Sequence, residues 1–159
     1  MVKKPEVLLV EDNPGDACLA SIALNREPHP CHITVATDGV RALTVLHERC
    51  GQGMAPDLVL LDLNLPRKDG RAVLRELKRD PGLRKIPVVV FSTSGAPRDI
   101  EGCYELGANC YVRKAGNLAD FFAAADAISA LWLGPACLHP AMHHASFLSE
   151  EENVPGKET

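Results

Sequence analysis

The sequence has no run approaching the ~20 consecutive apolar residues that a membrane-spanning helix needs, so no segment of it reads as a membrane span. It has no surplus of basic residues. Seventeen Lys and Arg stand against 21 Asp and Glu, for a formal net charge of −4, which argues against a basic nucleic-acid-binding surface. It has no Cys-x-x-Cys pair. The six cysteines (Cys18, Cys31, Cys50, Cys103, Cys110 and Cys137) are scattered. Reduced thiols filling small gaps in a core are therefore expected, with a disulfide framework as the alternative. There is no internal repeat and no low-complexity block. Met1–Glu6 leads straight into an apolar run without a cleavable signal, so a cytoplasmic chain is the expectation.

What is there fits an ordinary soluble domain: 159 residues, 46% of them apolar and 24% charged. Five short runs read as strands: Val7–Val10, Ile33–Ala36, Leu58–Leu61, Val88–Phe91 and Cys110–Val112. The first, third and fourth are almost purely apolar, as strands covered on both faces are. The second and fifth are more mixed, as edge strands tend to be. Helical spacing of apolar residues appears between them, over 16–26, 39–49, 70–79, 98–106 and 117–133. The stripes are Leu19, Ala20, Ala23 and Leu24; then Val40, Leu43 and Leu46; then Val73, Leu74 and Leu77; then Ile100, Cys103 and Tyr104. The last is Leu118, Phe121, Phe122, Ala125, Ile128 and Trp132. Pro81-Gly82 and Gly107 end the third and fourth helices. Strict β/α alternation predicts a doubly wound α/β domain, five parallel strands with five helices on both faces. The domain is expected over 1–133. Residues 134–159 change character, with His139, His143 and His144 and then an acidic polar end, and read as a partly flexible C-terminal extension.

Ligands of such sheets sit beyond the carboxyl ends of the strands. Glu11-Asp12 follows the first predicted strand, Asp62 the third, Ser92 the fourth and Lys114 the fifth. A carboxylate at the mouth of a buried strand is costly to desolvate unless something needs its charge. Three carboxylates at one edge repel, and each holds its proton more tightly. A divalent cation removes that repulsion, and Mg²⁺ suits a site of a few carboxylates, waters and phosphate oxygens. A hydroxyl at Ser92 can donate to a phosphoryl oxygen, and Lys114 can pair with a carboxylate or phosphate. Each residue alone has a plainer reading. Asp62 could cap a turn, Glu11 and Asp12 the first helix, Ser92-Thr93-Ser94 could be a polar turn, and Lys114 a solvated lysine. Tyr111 could be an ordinary half-buried strand aromatic.

Together, in this order, the acidic pair, aspartate, hydroxyl and lysine resemble the receiver domain of two-component response regulators, over about Glu6 to Trp132. The resemblance implies the flavodoxin-like strand order 2-1-3-4-5. It implies that Asp62 accepts a phosphoryl group from a histidine kinase. It also implies that Glu11, Asp12, Asp62 and the backbone carbonyl of Asn64 organise Mg²⁺, and that Ser92 and Lys114 contact the phosphoryl oxygens. Ser92 and Tyr111 are the implied switch pair, and Asn64 and Ser94 the implied tuners of hydrolysis. The family usually has Pro after the lysine, often with a cis peptide. Here it is Ala115, which leaves the geometry of that bond open.

Only 27 residues (159 less 132) follow Trp132, so a stand-alone receiver is the expectation. Glu11-Asp12-Asn13-Pro14-Gly15-Asp16, and Leu131-Trp132-Leu133 running into Cys137-Leu138-His139-Pro140, look like the phytochrome-associated single-domain subgroup. That implies a bacteriophytochrome kinase as donor, and a homodimer through the fourth helix, fifth strand and fifth helix, braced by the extension. The chain is then a stoichiometric phosphoacceptor with self-phosphorylation and self-dephosphorylation chemistry, not an enzyme. Two other readings stand beside it: a degenerate receiver used as a scaffold, and an aspartyl-phosphate phosphatase. The phosphatase would need an acid where Asn64 stands. Cys137 and the three extension histidines offer a loose metal spacing without paired finger-like ligands.

Overall fold

The computed structural model describes residues 3–134. The C-terminal extension beyond Gly134, with Cys137, His139, His143 and His144, lies outside the described residues, as do Met1 and Val2. The elements alternate strictly: β1 (Glu6–Val10), α1 (Pro14–Leu24), β2 (His32–Ala36), α2 (Gly39–Gly51), β3 (Leu58–Leu61), α3 (Gly70–Arg79), β4 (Val88–Ser92), α4 (Pro97–Glu105), β5 (Cys110–Arg113) and α5 (Leu118–Trp132). The strands form one parallel sheet in the order β2-β1-β3-β4-β5, as expected. No helix among the described residues is long and apolar enough to cross a membrane.

The apolar strands are central because both of their faces are covered. Successive side chains of a strand point to opposite faces, so each of these strands feeds two cores. Leu8, Val10, Val59, Leu61, Val88 and Val90 pack with α2, α3 and Cys103 of α4. Val7, Leu9, Leu58, Leu60, Val89 and Phe91 pack with α1 and α5 on the other face. β2 and β5 are the edges, and they are only partly buried. Burying a Leu or Val side chain is worth about 1.5–3 kcal/mol, and that gain holds polar groups rigidly at the sheet's rim.

Three expectations need correction. The cap of α1 is Asn13, whose side chain accepts from the Asp16 amide at 3.0 Å, with Pro14 in the first helical turn; neither Glu11 nor Asp12 caps the helix. α1 also ends at Leu24, two residues before the predicted end. Third, Val40, Tyr104 and Leu118, counted in apolar stripes, are exposed at 37%, 48% and 61%. Val40 and Leu118 lie in first turns at the carboxyl rim, where a helix has not yet reached the strand faces. α4 buries only Cys103, which makes it the least embedded helix.

The β3–α3 connection is held by close packing. A Cβ on Gly70 would lie 2.2 Å from the Asp62 carbonyl oxygen and 2.6 Å from the Leu63 Cα. Only glycine lets the start of α3 press against the backbone of Asp62. The Gly70 amide donates to the Leu63 carbonyl at 2.8 Å, closing the loop, and Arg67 takes a positive φ of 65° within it.

Candidate functional site

The parallel register puts the charged residues side by side. Val10 of β1 pairs with Leu61 of β3, so Glu11-Asp12 and Asp62 leave adjacent strands at the same level. The Asp62 amide donates to the Val10 carbonyl at 3.0 Å, and the Glu11 amide to the Ala36 carbonyl at 3.0 Å. Ser92 pairs with Arg113, and the Lys114 amide donates to the Ser92 carbonyl at 2.7 Å. Backbone hydrogen bonds thus fix Glu11, Asp62, Ser92 and Lys114 before any side chain is considered.

The side chains converge. Carboxylate oxygens of Glu11, Asp12 and Asp62 lie within 4.8 Å of one another. Lys114 reaches in from β5: its Nζ is 2.6 Å from Glu11 Oε2, 3.3 Å from Asp62 Oδ2 and 3.5 Å from Asp16 Oδ2. Asp62 Oδ1 accepts from the Leu63 amide at 2.7 Å, so both of its oxygens are held and its rotamer is set. Glu11, Asp62, Lys114 and Ser92 are buried, whereas Asp12 is open to water.

Burial raises the Glu11 carboxyl above its ordinary value; the hydrogen bond and charge of Lys114 pull the other way and do not cancel it. Burial would lower the Lys114 ammonium, but the hydrogen bond to Glu11 and the charges of Asp62, Glu11 and Asp16 outweigh it and raise the value. The ammonium is therefore firmly charged. One ammonium against Glu11, Asp12 and Asp62 leaves a net charge of about −2 when all three are ionised, concentrated at one rim. All the donors are hard oxygens, and Asp12 keeps the cluster open to water. That set fits a hard divalent cation which retains part of its water shell.

The remaining predicted residues surround the cluster. Ser92 is fully buried, and its Oγ accepts from the Ser94 amide at 3.3 Å. Tyr111 is half-buried against the α2–α3 core, and its hydroxyl donates to the Ser94 carbonyl at 2.7 Å. Asn64 is exposed in the loop after Asp62. Ser94 Oγ donates to Asp99 at 2.5 Å and accepts from the Ala96 amide at 3.3 Å, so its one proton is committed to α4. The sole cis peptide among the described residues is Glu27–Pro28, so Lys114–Ala115 is trans.

Sequence reasoning missed two participants. Asp16, in the first turn of α1, joins Lys114 from the side; its spacing of one turn from Asp12 was the available signal. Asp99 is the other. It ties Ser94 to Arg71 at 2.6 Å, and nothing in the linear sequence relates those residues.

The family model described as "Response regulator receiver domain" matches residues 7–126. Response regulator Rcp1 of Synechocystis sp. is 40% identical over 137 residues, which are 85% of this chain and 93% of that protein. The crystal structure of the phosphorylated cyanobacterial phytochrome response regulator RcpA is similar with a TM-score of 0.79 at 43% identity, covering 86% of this chain and 99% of that one. The Mn²⁺-bound form of Rcp1 gives a TM-score of 0.77 at 40% identity, covering 84% and 98%.

Proposed function

This chain belongs to the response regulator receiver family, and from that premise we propose that it is a single-domain phosphoacceptor that takes a phosphoryl group on Asp62. The observation that carries the reading is the charge constellation itself: a buried aspartate held by Lys114 at 3.3 Å, inside a cluster of carboxylates at the carboxyl rim. A structural ion pair needs one carboxylate. A net negative surplus there is costly unless a cation is bound, and that cation together with Lys114 would offset the charge of a phosphoryl group.

In this reading a carboxylate oxygen of Asp62 attacks the phosphorus of a phosphohistidine in line. The P–N bond breaks, and its electron pair leaves with the imidazole. Charge develops on the three equatorial oxygens of a loose transition state. Lys114 is already charged and turns from Asp62 toward one of those oxygens, giving up no protonation equilibrium. Ser92 donates its hydroxyl to another, releasing the Ser94 amide it now accepts from. Glu11, Asp12, Asp62 and the carbonyl of Asn64 would hold Mg²⁺, which when bound would supply further neutralisation of phosphoryl charge. In hydrolysis a water attacks the phosphorus in line, the O–P bond to Asp62 breaks, and inorganic phosphate leaves as the carboxylate is regenerated. Asn64 and Ser94 are the residues we assign to tuning that hydrolysis; neither is an acid or a base, so the product persists as a signal.

Loss of the Ser92–Ser94 contact frees the loop carrying the Ser94 carbonyl, which is the acceptor of the Tyr111 hydroxyl. Tyr111 then changes partner, and the α4–β5–α5 surface shifts between two arrangements. A cytoplasmic histidine kinase of the bacteriophytochrome class is the donor we favour, because three of the similar structures are phytochrome or bacteriophytochrome response regulators. We assign residues 1–133 to the receiver, and a homodimer to its α4–β5–α5 face. Incubation with acetyl phosphate and Mg²⁺ tests the central step. Intact mass should rise by one phosphoryl group on the wild type and not on Asp62→Asn; an unmodified wild type overturns it. Light scattering after size exclusion tests the dimer, which a monomer at all concentrations would exclude.

A further inference from the structure

Away from the carboxylate cluster, α3 and α4 face each other across a cleft of about 540 Å³. Three guanidinium groups line it in a chain whose net charge is −4. Arg71 and Arg75 stand one turn apart on α3, and Arg98 faces them from α4. Arg71 is committed to Asp99 at 2.6 Å. Arg75 and Arg98 are exposed and make no hydrogen bond or ion pair among the described residues. Glu105 is the other acid on the rim, so the lining carries a surplus of positive charge.

A second observation points the same way. Gly102 sits inside α4, where glycine weakens a helix. Its φ is not in the left-handed region, and a Cβ built on it meets nothing within 4 Å. Neither backbone conformation nor packing calls for glycine here. Arg98, Gly102 and Leu106 are spaced four apart, so they share one face of the helix. What the missing side chain does is keep the middle of that face clear, between an arginine and a half-buried leucine.

We propose that the α3–α4 cleft is a docking groove for an acidic segment of a partner protein. The segment's backbone crosses α4 at Gly102, its carboxylates pair with Arg75 and Arg98, and an apolar side chain rests on Leu106. Planar guanidinium groups pair with carboxylates through two parallel hydrogen bonds. The positive charges are spread along both walls, with apolar surface between them. They do not converge on one point from buried positions, as a site for a single compact anion would require. The groove shares no residue with the phosphoacceptor cluster, so the failure of this proposal and the failure of that reading are distinguishable.

The test is fluorescence anisotropy of a labelled hexaglutamate peptide titrated with the full chain at low salt. Arg75→Ala with Arg98→Ala should weaken binding about 5- to 10-fold, the loss of two largely exposed pairs. Gly102→Glu should weaken it at least as much, and it fills open space with a better helix former, so the fold is retained; circular dichroism checks this. Lys3→Ala with Lys85→Ala removes the same two charges elsewhere and should leave binding within about twofold. Equal loss in the lysine and arginine doubles, an unaffected Gly102→Glu, or no binding by the wild type overturns the proposal. So does binding of tripolyphosphate in place of the peptide with the same dependence on the arginines, which would mark a compact-anion site.

Discussion

Lys114→Met removes the one ammonium from the carboxylate cluster while keeping the bulk of its stem. The two contacts that count are Glu11 at 2.6 Å and Asp62 at 3.3 Å, whose side chains are 3% and 11% exposed. Asp16, at 3.5 Å but 45% exposed, adds little. Stripping one partner from a buried pair costs about 3–5 kcal/mol. The low end, about 3 kcal/mol, is expected because water enters past Asp12. The pH dependence gives a sharper check. Glu11 has a folded value above its ordinary 4.5, because burial outweighs Lys114. A raised acid binds more protons in the folded state, so stability falls as pH rises from about 4.5 through the folded value. Without Lys114 that value moves higher still, and the variant's deficit widens as pH rises. Urea unfolding in EDTA at pH 5 and pH 7.5 measures both effects. A deficit under about 1 kcal/mol at pH 7.5, or one equal at the two pH values, would refute a cluster held together by this ion pair.

In urea unfolding without EDTA, added Mg²⁺ should raise the midpoint, and raise it more in Lys114→Met, because ligand binding to the folded state adds stability and the cation takes over the missing charge; no shift in either protein would count against the metal assignment. Burial pushes the Lys78 ammonium down to about 8. It donates to the Ile86 carbonyl and to Asn109 Oδ1, both at 2.9 Å, and to no carboxylate. The unfolded chain then holds an extra proton between pH 8 and 10.5, so stability should rise with pH across that window, by about 1–2 kcal/mol after allowance for solvent contact. Urea midpoints of wild type and Lys78→Met with identical pH slopes from about 8 to 10 would exclude this. Gly70→Ala places a Cβ 2.2 Å from the Asp62 carbonyl and should cost about 1–3 kcal/mol, with slower phosphorylation by acetyl phosphate. Gly102→Ala, in open space, should be neutral or stabilising by up to about 1 kcal/mol; equal thermal shifts in the two variants would show that the close approach at Gly70 is not what matters.

The order and type of the ten elements are legible in the sequence because the two hydrophobic periods differ so clearly. Leu58–Leu61 and Val88–Phe91 have no polar face, so they could only be central strands, and they are. Positions near helix starts are less legible. Val40 and Leu118 fit an apolar spacing yet face water, because periodicity gives a helix's phase but not where along its length the core begins. The capping role of Asn13 is masked by its acidic neighbours, although Asn followed by Pro is a strong start signal in its own right.

The candidate site divides along a similar line. Glu11, Asp12, Asp62, Ser92 and Lys114 could be located because each ends a strand or lies within two residues of its end, and a parallel sheet gathers every carboxyl end at one rim. For them, chain order became spatial order without knowledge of any side-chain packing. Asp16, Asp99 and Arg71 lie on helices, and whether they reach inward depends on helix rotation and on loop paths set by the whole core. Ser94 shows the consequence. Its position, two residues past Ser92, suggested a part in hydrolysis, but its hydroxyl proton goes to Asp99, which is held in turn by Arg71. Any influence of Ser94 on the phosphoryl group must therefore pass through α4 or break that bond first. This links the residue whose amide donates to Ser92 with an arginine on the wall of the α3–α4 groove.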